Sequence, residues 1–277
     1  MEKKILRKLQ LTEVAILKEI ISICEKYDIK YLLAGGTLLG AIRHDGFIPW
    51  DDDLDIAIPR KDYNRFLKIC SKELKKSFLL DSYLTNKRYW LPFSKIRMKD
   101  TELGEKTLSY YHGEKGFFVD VFPLDNASSR NSKLLKVQSF IVKKITTILF
   151  IKNIRPIEKQ YSIFKKIVMK VIKIVPIQRL LHVILNITMQ LNKNESSEFL
   201  CSIAGRYSFQ KETWSRSEMF PSILKEFENI KCKIPNQYDR VLSWTYGDYM
   251  KLPPKEKRET HNPEYIKFQG EERIDID

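Results

Sequence analysis

Cysteine is scarce in this sequence. The four present, Cys24, Cys70, Cys201 and Cys232, are scattered without the short spacings of a zinc ribbon or redox motif. With no secretory context they read as small core hydrophobes of a reducing compartment, not as a disulfide frame. Glycine and proline are few, 10 and 11 residues, and no repeat is visible, which excludes low-complexity and fibrous classes. No apolar run reaches the roughly 18 residues of a membrane-spanning helix. The opening MEKKILRKLQLTEVAILKEI mixes Lys, Arg and Glu through its apolar positions, so no signal peptide is expected. A cytoplasmic protein is expected. Acids are missing from one region above all: between Arg130 and Glu195 there are 14 Lys and Arg against Glu158 and Glu195, so this segment carries +12 of the net charge of +14.

What is present is an alternation of strands and helices followed by a basic helical section. The spacing of Val14, Leu17, Ile20, Ile21 and Cys24 predicts a helix over 12–27, with Thr12 as its N-cap. Residues 31–34 read as a short buried strand ending at Gly35-Gly36, and 37–43 as a short helix. Residues 54–58 form a second strand stopped by Pro59, and 61–76 a second long helix. Apolar runs at 77–84, 90–98 and 116–122 predict further strands, 133–192 is helical, and the tail is mostly irregular. The expected class is α/β (α+β), a mixed sheet flanked by helices. The expected division is a catalytic core over 1–130, a basic amphipathic helical insertion over 131–200, and a C-terminal segment over 201–277 that completes the catalytic domain.

The chemistry concentrates in AGGTLLGAIRHDGFIPWDDDLDIAIPR, residues 34–60. Four acids within five residues repel one another unless a cation compensates. Strand alternation puts Asp53 and Asp55 on one face, with Asp51 joining them if the strand starts early. Oxygen-only donors without Cys or His pairs point to Mg²⁺ or Mn²⁺. A solvated acidic turn is the competing account, and the buried character of Ile56 and Ile58 weighs against it. Gly35-Gly36-Thr37 lies between a strand and a helix start, where backbone N–H groups favour phosphate. Arg43 and His44 follow within two turns and could reach the same anion. Asp120 is a lone acid inside the apolar run FFVDVF and needs a partner or a metal there. Lys95 and Arg97, two apart on an intervening strand, can face the site together as phosphate-neutralising groups. Gly-Gly, an Asp-x-Asp strand and a third Asp on a later strand form the pattern of nucleotidyltransferase-type sheets. There two acids hold metal on a nucleotide's phosphates, and the third completes the site as possible base.

GGTLLGAIRHDGFIPWDDDLD, KIR, GFFVDVFPLDN and YGDYMKLPP with His261 shortly after together resemble the LicD-type phosphotransferases, whose animal relatives include fukutin-like enzymes. The resemblance covers about 28–126 and 235–262. It implies a nucleotidyltransferase fold and an enzyme that moves a phospho-alcohol, phosphocholine first among the candidates, from a CDP-alcohol donor to a sugar hydroxyl, releasing CMP. The acceptor would be a cell-surface glycan, teichoic acid or lipopolysaccharide precursor, possibly lipid-linked. The resemblance implies that Asp53 and Asp55, helped by Asp51, are metal ligands. Asp120 would be the third carboxylate and general base, Gly35-Gly36-Thr37 the phosphate-facing turn, and Arg43, Lys95 and Arg97 the pyrophosphate contacts. Trp50, Trp90, Tyr110 and Tyr111 could cage a quaternary ammonium, or fill the core. Two other readings are nucleotidyl transfer to a small acceptor and a catalytically idle membrane-associated glycan-assembly protein.

The stretch IFKKIVMKVIKIV, residues 163–175, gives the positive charge a shape. At 100° per residue its four lysines fall within an arc of about 140°, with Met169 the one apolar residue among them and the other apolar residues opposite. Such a helix suits an anionic membrane interface, here the inner face of the cell membrane. Helices packed on the catalytic domain with lysines in water are the alternative. Nucleic acid is not expected as a partner, since no recognition motif accompanies the charge.

Overall fold

The computed structural model of this chain describes all residues except 109, 110, 112, 157, 255, 257, 259, 261, 262 and 277 and the side chain of 107. The first helix, α1 (Lys3–Lys26), starts a full two turns before the expected position. Its buried face already includes Leu6 and Leu9, and Thr12 is interior, its hydroxyl donating to Lys8 O at 2.8 Å instead of capping. Strand β1 (Leu32–Leu33) leads into α2 (Gly35–Arg43), so the two glycines are the first turn of the helix and do not precede it. Strand β2 (Asp55–Pro59) and helix α3 (Arg60–Glu73) follow. Then come β3 (Phe78–Asp81), β4 (Ser94–Met98), β5 (Glu102–Glu105) and the long β6 (Phe118–Ala127).

The main sheet runs β1-β2-β6-β4-β3 and is mixed. Only the β2/β6 pairing along this path is parallel. The far end of β6 pairs with β7 (Phe199–Cys201), which pairs with β8 (Thr213–Ser215), so the C-terminal part of the chain extends the same sheet. The tail is thus more regular than its sequence suggests. It adds α7 (Arg216–Met219), the hairpin β9 (Ile223–Phe227) with β10 (Ile230–Ile234), and α8 (Tyr238–Tyr246). Strands β11 (Pro263–Lys267) and β12 (Arg273–Asp275) complete a small sheet with β5. Pairing across long sequence separation supplies the apolar partners that the short, locally weak segments lack.

One core lies between the main sheet and α1, α2, α3 and α8. It is built on Leu17, Ile20, Ile56, Ile58, Phe66, Val119 and Val121. A second core joins Tyr89, Trp90, Tyr111 and Leu149 to helices α4 (Lys133–Asn153) and α6 (Gln178–Met189). Helix α5 (Ile163–Ile174) packs on α4. No helix among the described residues is long and apolar enough to cross a membrane.

Candidate active site

The turn from β1 into α2 brings backbone against carboxylate. Ala34 N–H donates to Asp55 O at 3.0 Å and Thr37 Oγ1 accepts Asp55 N–H at 2.8 Å, which fixes the start of β2 under the helix N-terminus. A Cβ on Gly35, whose φ is +53°, would stand 2.5 Å from Asp55 Oδ2; one on Gly36 would stand 2.8 Å from Asp51 Oδ2. A side chain at either glycine would thus press on the carboxylates of Asp51 and Asp55, which lie against the positive end of α2.

The strand begins at Asp55, so Asp51 and Asp53 lie on the preceding loop and strand alternation does not govern them. The loop is held from two sides, by Asp51 N–H to Ile48 O at 2.9 Å and by the Gln10 amide to Asp51 O at 2.9 Å. Carboxylate oxygens of Asp51, Asp52 and Asp53 lie within 4.8 Å of one another. Parallel pairing sets Asp55 opposite Asp120, and Asp120 N–H donates to Leu54 O at 2.8 Å. On the other side of β6, Lys95 is opposite Asp120 and its Nζ is 2.5 Å from Asp120 Oδ1, both side chains 8% exposed. Burial, then the charges of Asp53, Asp120 and Asp51, hold the Asp55 carboxyl well above the usual range, with Lys95 opposing. Glu13 of α1 is fully buried beside the same acids, which with desolvation push it far up as well. Neither of its carboxyl oxygens has a hydrogen-bond partner among the described residues. So many carboxylates gathered together form a donor set that fits an oxygen-ligated divalent cation.

The other sequence candidates are placed differently. Arg97 is not open to phosphate: its Nε is 2.9 Å from Asp81 Oδ2, its Nη1 donates to Gly116 O at 2.9 Å, and its side chain is 3% exposed. The Phe118 ring lies between the two cations, 3.3 Å from Lys95 Nζ and 5.2 Å from the Arg97 guanidinium. Arg43 is at the far end of α2, about 12 Å along the helix axis from Gly35. There it donates to Tyr249 O at 2.7 Å and to His44 Nε2 at 3.0 Å. Burial and the Arg43 charge lower the His44 pKa, consistent with a neutral ring that accepts that bond. Arg43 and His44 thus tie α2 to the chain after α8 and do not meet the anion at its start. Trp90 and Tyr111 form an edge-to-face pair inside the second core, and Trp50 is stacked by Arg258, 4.2 Å from its centroid. Tyr110 and His261 lie outside the described residues.

Above the acids opens a cavity of about 570 Å³. Gly35, Gly36, Asp51, Asp52, Asp53, Asp55 and Asp120 line one side. The opposite wall, which sequence reasoning missed, comes from the C-terminal part of the chain: Ser202, Arg206, Tyr207, Glu212, Trp214 and Tyr246. Arg206 is the only Lys or Arg among the described lining residues. Burial pushes Glu212 up to about 7. Only Tyr246 had a sequence signal, as the first residue of YGDYMKLPP.

With this geometry in view, comparison with known proteins is informative. Residues 28–150 match the family model described as LicD/FKTN/FKRP, nucleotidyltransferase domain. Over 281 aligned residues, 95% of this chain and 97% of the relative, it is 30% identical to the lipopolysaccharide cholinephosphotransferase LicD of Haemophilus influenzae. A 43-residue stretch, 16% of this chain and 9% of the relative, is 44% identical to the human ribitol 5-phosphate transferase FKRP. A 68-residue stretch, 24% of this chain and 20% of the relative, is 47% identical to an uncharacterised Rickettsia typhi protein. The chain belongs to the LicD family and is a transferase of phosphorus-containing groups.

Proposed function

We propose that this enzyme moves a phospho-alcohol, phosphocholine first among the candidates, from a CDP-linked donor to a sugar hydroxyl of a cell-surface glycan precursor. The observation that carries the reading is the set of carboxylates, Asp51 to Asp53 mutually within 4.8 Å and Asp55 in register with Asp120, on one side of a cavity large enough for a nucleotide. The near full-length similarity to a cholinephosphotransferase supports choline over the ribitol of the shorter match.

Asp51, Asp52, Asp53 and Asp55 would hold Mg²⁺ or Mn²⁺. When bound, that ion would supply charge neutralisation to the donor's diphosphate. The residues do the rest. Arg206 meets the diphosphate from the opposite wall. Asp120, oriented by Lys95, accepts the proton of the attacking sugar hydroxyl. The hydroxyl oxygen forms a new bond to the phosphorus that bears the alcohol. The bond from that phosphorus to the bridging oxygen breaks, and CMP leaves with that oxygen. Positioning and electrostatics, not covalent catalysis, carry the rate.

The reading extends to where the acceptor is met. Helix α5 turns its apolar face outward, with Ile163, Phe164 and Ile174 each more than three-quarters exposed, and buries Met169 from its basic arc. Lys152 holds the helix in that orientation by donating to Ile172 O, Lys173 O and Val175 O at 2.8–3.0 Å. Exposed Val137 and Phe140 of α4 and Leu180, Val183 and Ile187 of α6 add to the apolar surface. An apolar face flanked by lysines suits the anionic cytoplasmic leaflet and a lipid-linked acceptor presented there.

The test is incubation with labelled CDP-choline, Mg²⁺ and a glycan acceptor, with free CMP and a choline-bearing glycan expected and both absent for Asp53→Asn. Release of pyrophosphate from a nucleoside triphosphate instead would establish nucleotidyl transfer. Unchanged surface decoration in cells carrying Asp53→Asn would establish the idle assembly protein.

A further inference from the structure

The proposed transfer gives the acids and Arg206 their tasks but leaves most of the opposite wall without one. We propose that this wall receives the cationic head of the transferred alcohol, a quaternary ammonium, with Glu212 as its counter-charge and the rings of Tyr207 and Tyr246 as its aromatic faces. The inference rests on the phospho-alcohol reading and goes beyond it by assigning the residues that choose the alcohol.

The two tyrosine rings meet edge to face, centroids 5.8 Å apart at 86°, so each presents a face in a different direction. Glu212 is held against the turn that carries Tyr207. Tyr207 N–H donates to its Oε1 at 3.1 Å, and the backbone at Gly205 approaches so closely that a Cβ there would stand 2.4–2.5 Å from the carboxyl group. Tyr207 already attracts one cation, Lys211 Nζ at 6.0 Å from its centroid. The phenol of Tyr246 is pushed up by burial and by Tyr207, Asp55, Glu212 and Asp51, so it stands within electrostatic reach of both acidic groups. These residues line the same cavity as the aspartates, so in this proposal the head of a short alcohol lies among them once its phosphate is held at the acids.

The remainder of the wall argues for a cation without N–H groups over a neutral polyol. A quaternary ammonium makes no hydrogen bonds and is held by π faces and a carboxylate. A polyol needs a partner for each hydroxyl. Here Trp214 Nε1–H is engaged with Thr245 Oγ1 at 3.3 Å, and that hydroxyl donates to Val241 O at 3.0 Å, so both present apolar surface alongside Met219 and Leu242. Ser202, 5% exposed, is polar, as are Glu212, Arg206 and Thr260. The Ser202 hydroxyl has no hydrogen-bond partner among the described residues, and it can donate to a phosphate oxygen at the head's near end.

Titration calorimetry with Mn²⁺ present tests this on the full chain with CDP-choline, CDP-glycerol and CMP. The wild type should bind CDP-choline about tenfold or more tighter than CDP-glycerol. Glu212→Gln and Tyr207→Leu should each reduce that preference about tenfold, and Tyr207→Phe should keep it, with CMP affinity unchanged throughout. Tyr207 is 39% exposed, so its substitution leaves the core intact. Preserved preference in Glu212→Gln and Tyr207→Leu overturns the inference. So does a wild type that binds both donors equally, which would leave the transfer reading standing. A wild type that binds neither donor sinks the transfer reading itself, and this inference with it.

Discussion

Replacing Gly35 by alanine should damage catalysis far more than folding. The added Cβ would sit 2.5 Å from Asp55 Oδ2. Ordinary contact begins at about 3.4 Å, so the carboxylate must retreat by roughly 0.9 Å or the first turn of α2 must lift by as much. A misplacement of about 1 Å at a reacting centre costs on the order of 10²-fold in rate. The φ of +53° adds about 1–2 kcal/mol of backbone strain for a residue with a Cβ. The two effects separate by comparison. Gly270→Ala carries the strain alone, since φ is +73° and nothing lies within 4 Å. Gly36→Ala carries mainly the collision, 2.8 Å from Asp51 Oδ2. Stability from urea unfolding and CMP release from CDP-choline should therefore diverge. Gly270→Ala should lose stability and keep its rate, Gly36→Ala should lose rate with little loss of stability, and Gly35→Ala should lose both. A Gly35→Ala enzyme within threefold of the wild-type rate would refute the claim that these glycines exist to seat the carboxylates.

Further outcomes follow from the same electrostatics. Lys95→Met removes the cation in register with buried Asp120 and should cost about 3–5 kcal/mol in urea unfolding; a loss under 1 kcal/mol would show that Lys95 is not what neutralises Asp120. Glu13→Leu removes two buried oxygens without described partners and should stabilise the metal-free protein by about 1–3 kcal/mol, whereas destabilisation would reveal that the carboxyl is compensated. Glu212 sits near 7 in the folded protein against an ordinary 4.5. The unfolded chain therefore releases this proton first, and Glu212 makes stability fall as pH rises from 4.5 to 7. Glu212→Gln should flatten that slope, and an unchanged slope would place the titration elsewhere. Phe164→Glu with Ile167→Glu should abolish co-sedimentation with phosphatidylserine vesicles while CMP release in solution persists; retained co-sedimentation would move the contact off α5.

The acidic half of the site was legible because its signals are local. Asp120 inside FFVDVF and the crowded DDDLD run are anomalies that no ordinary burial pattern explains, and both proved to lie on one cavity. The reason given for Asp53 and Asp55 was nonetheless wrong: β2 begins at Asp55, so a loop held by Gln10 and Ile48, not strand alternation, gathers the earlier aspartates. Alternation did put Lys95 and Arg97 on one face, but the register of β4 against β6 decides that Lys95 meets Asp120, while Arg97 reaches Asp81 diagonally, since the register of β4 against β3 sets Asp81 opposite Lys95.

The amino-acid order alone determined the alternating strands and helices of the first half, the basic amphipathic α5 and the crowding of carboxylates at DDDLD, because each depends on neighbours a few residues apart. Tertiary structure decided which acids converge, that Glu13 joins them from α1, and that Ser202, Tyr207, Glu212 and Tyr246 close the cavity from more than 80 residues beyond Asp120. Those partners meet only through sheet pairing and helix packing, and no local pattern encodes the distance between residues that far apart along the chain.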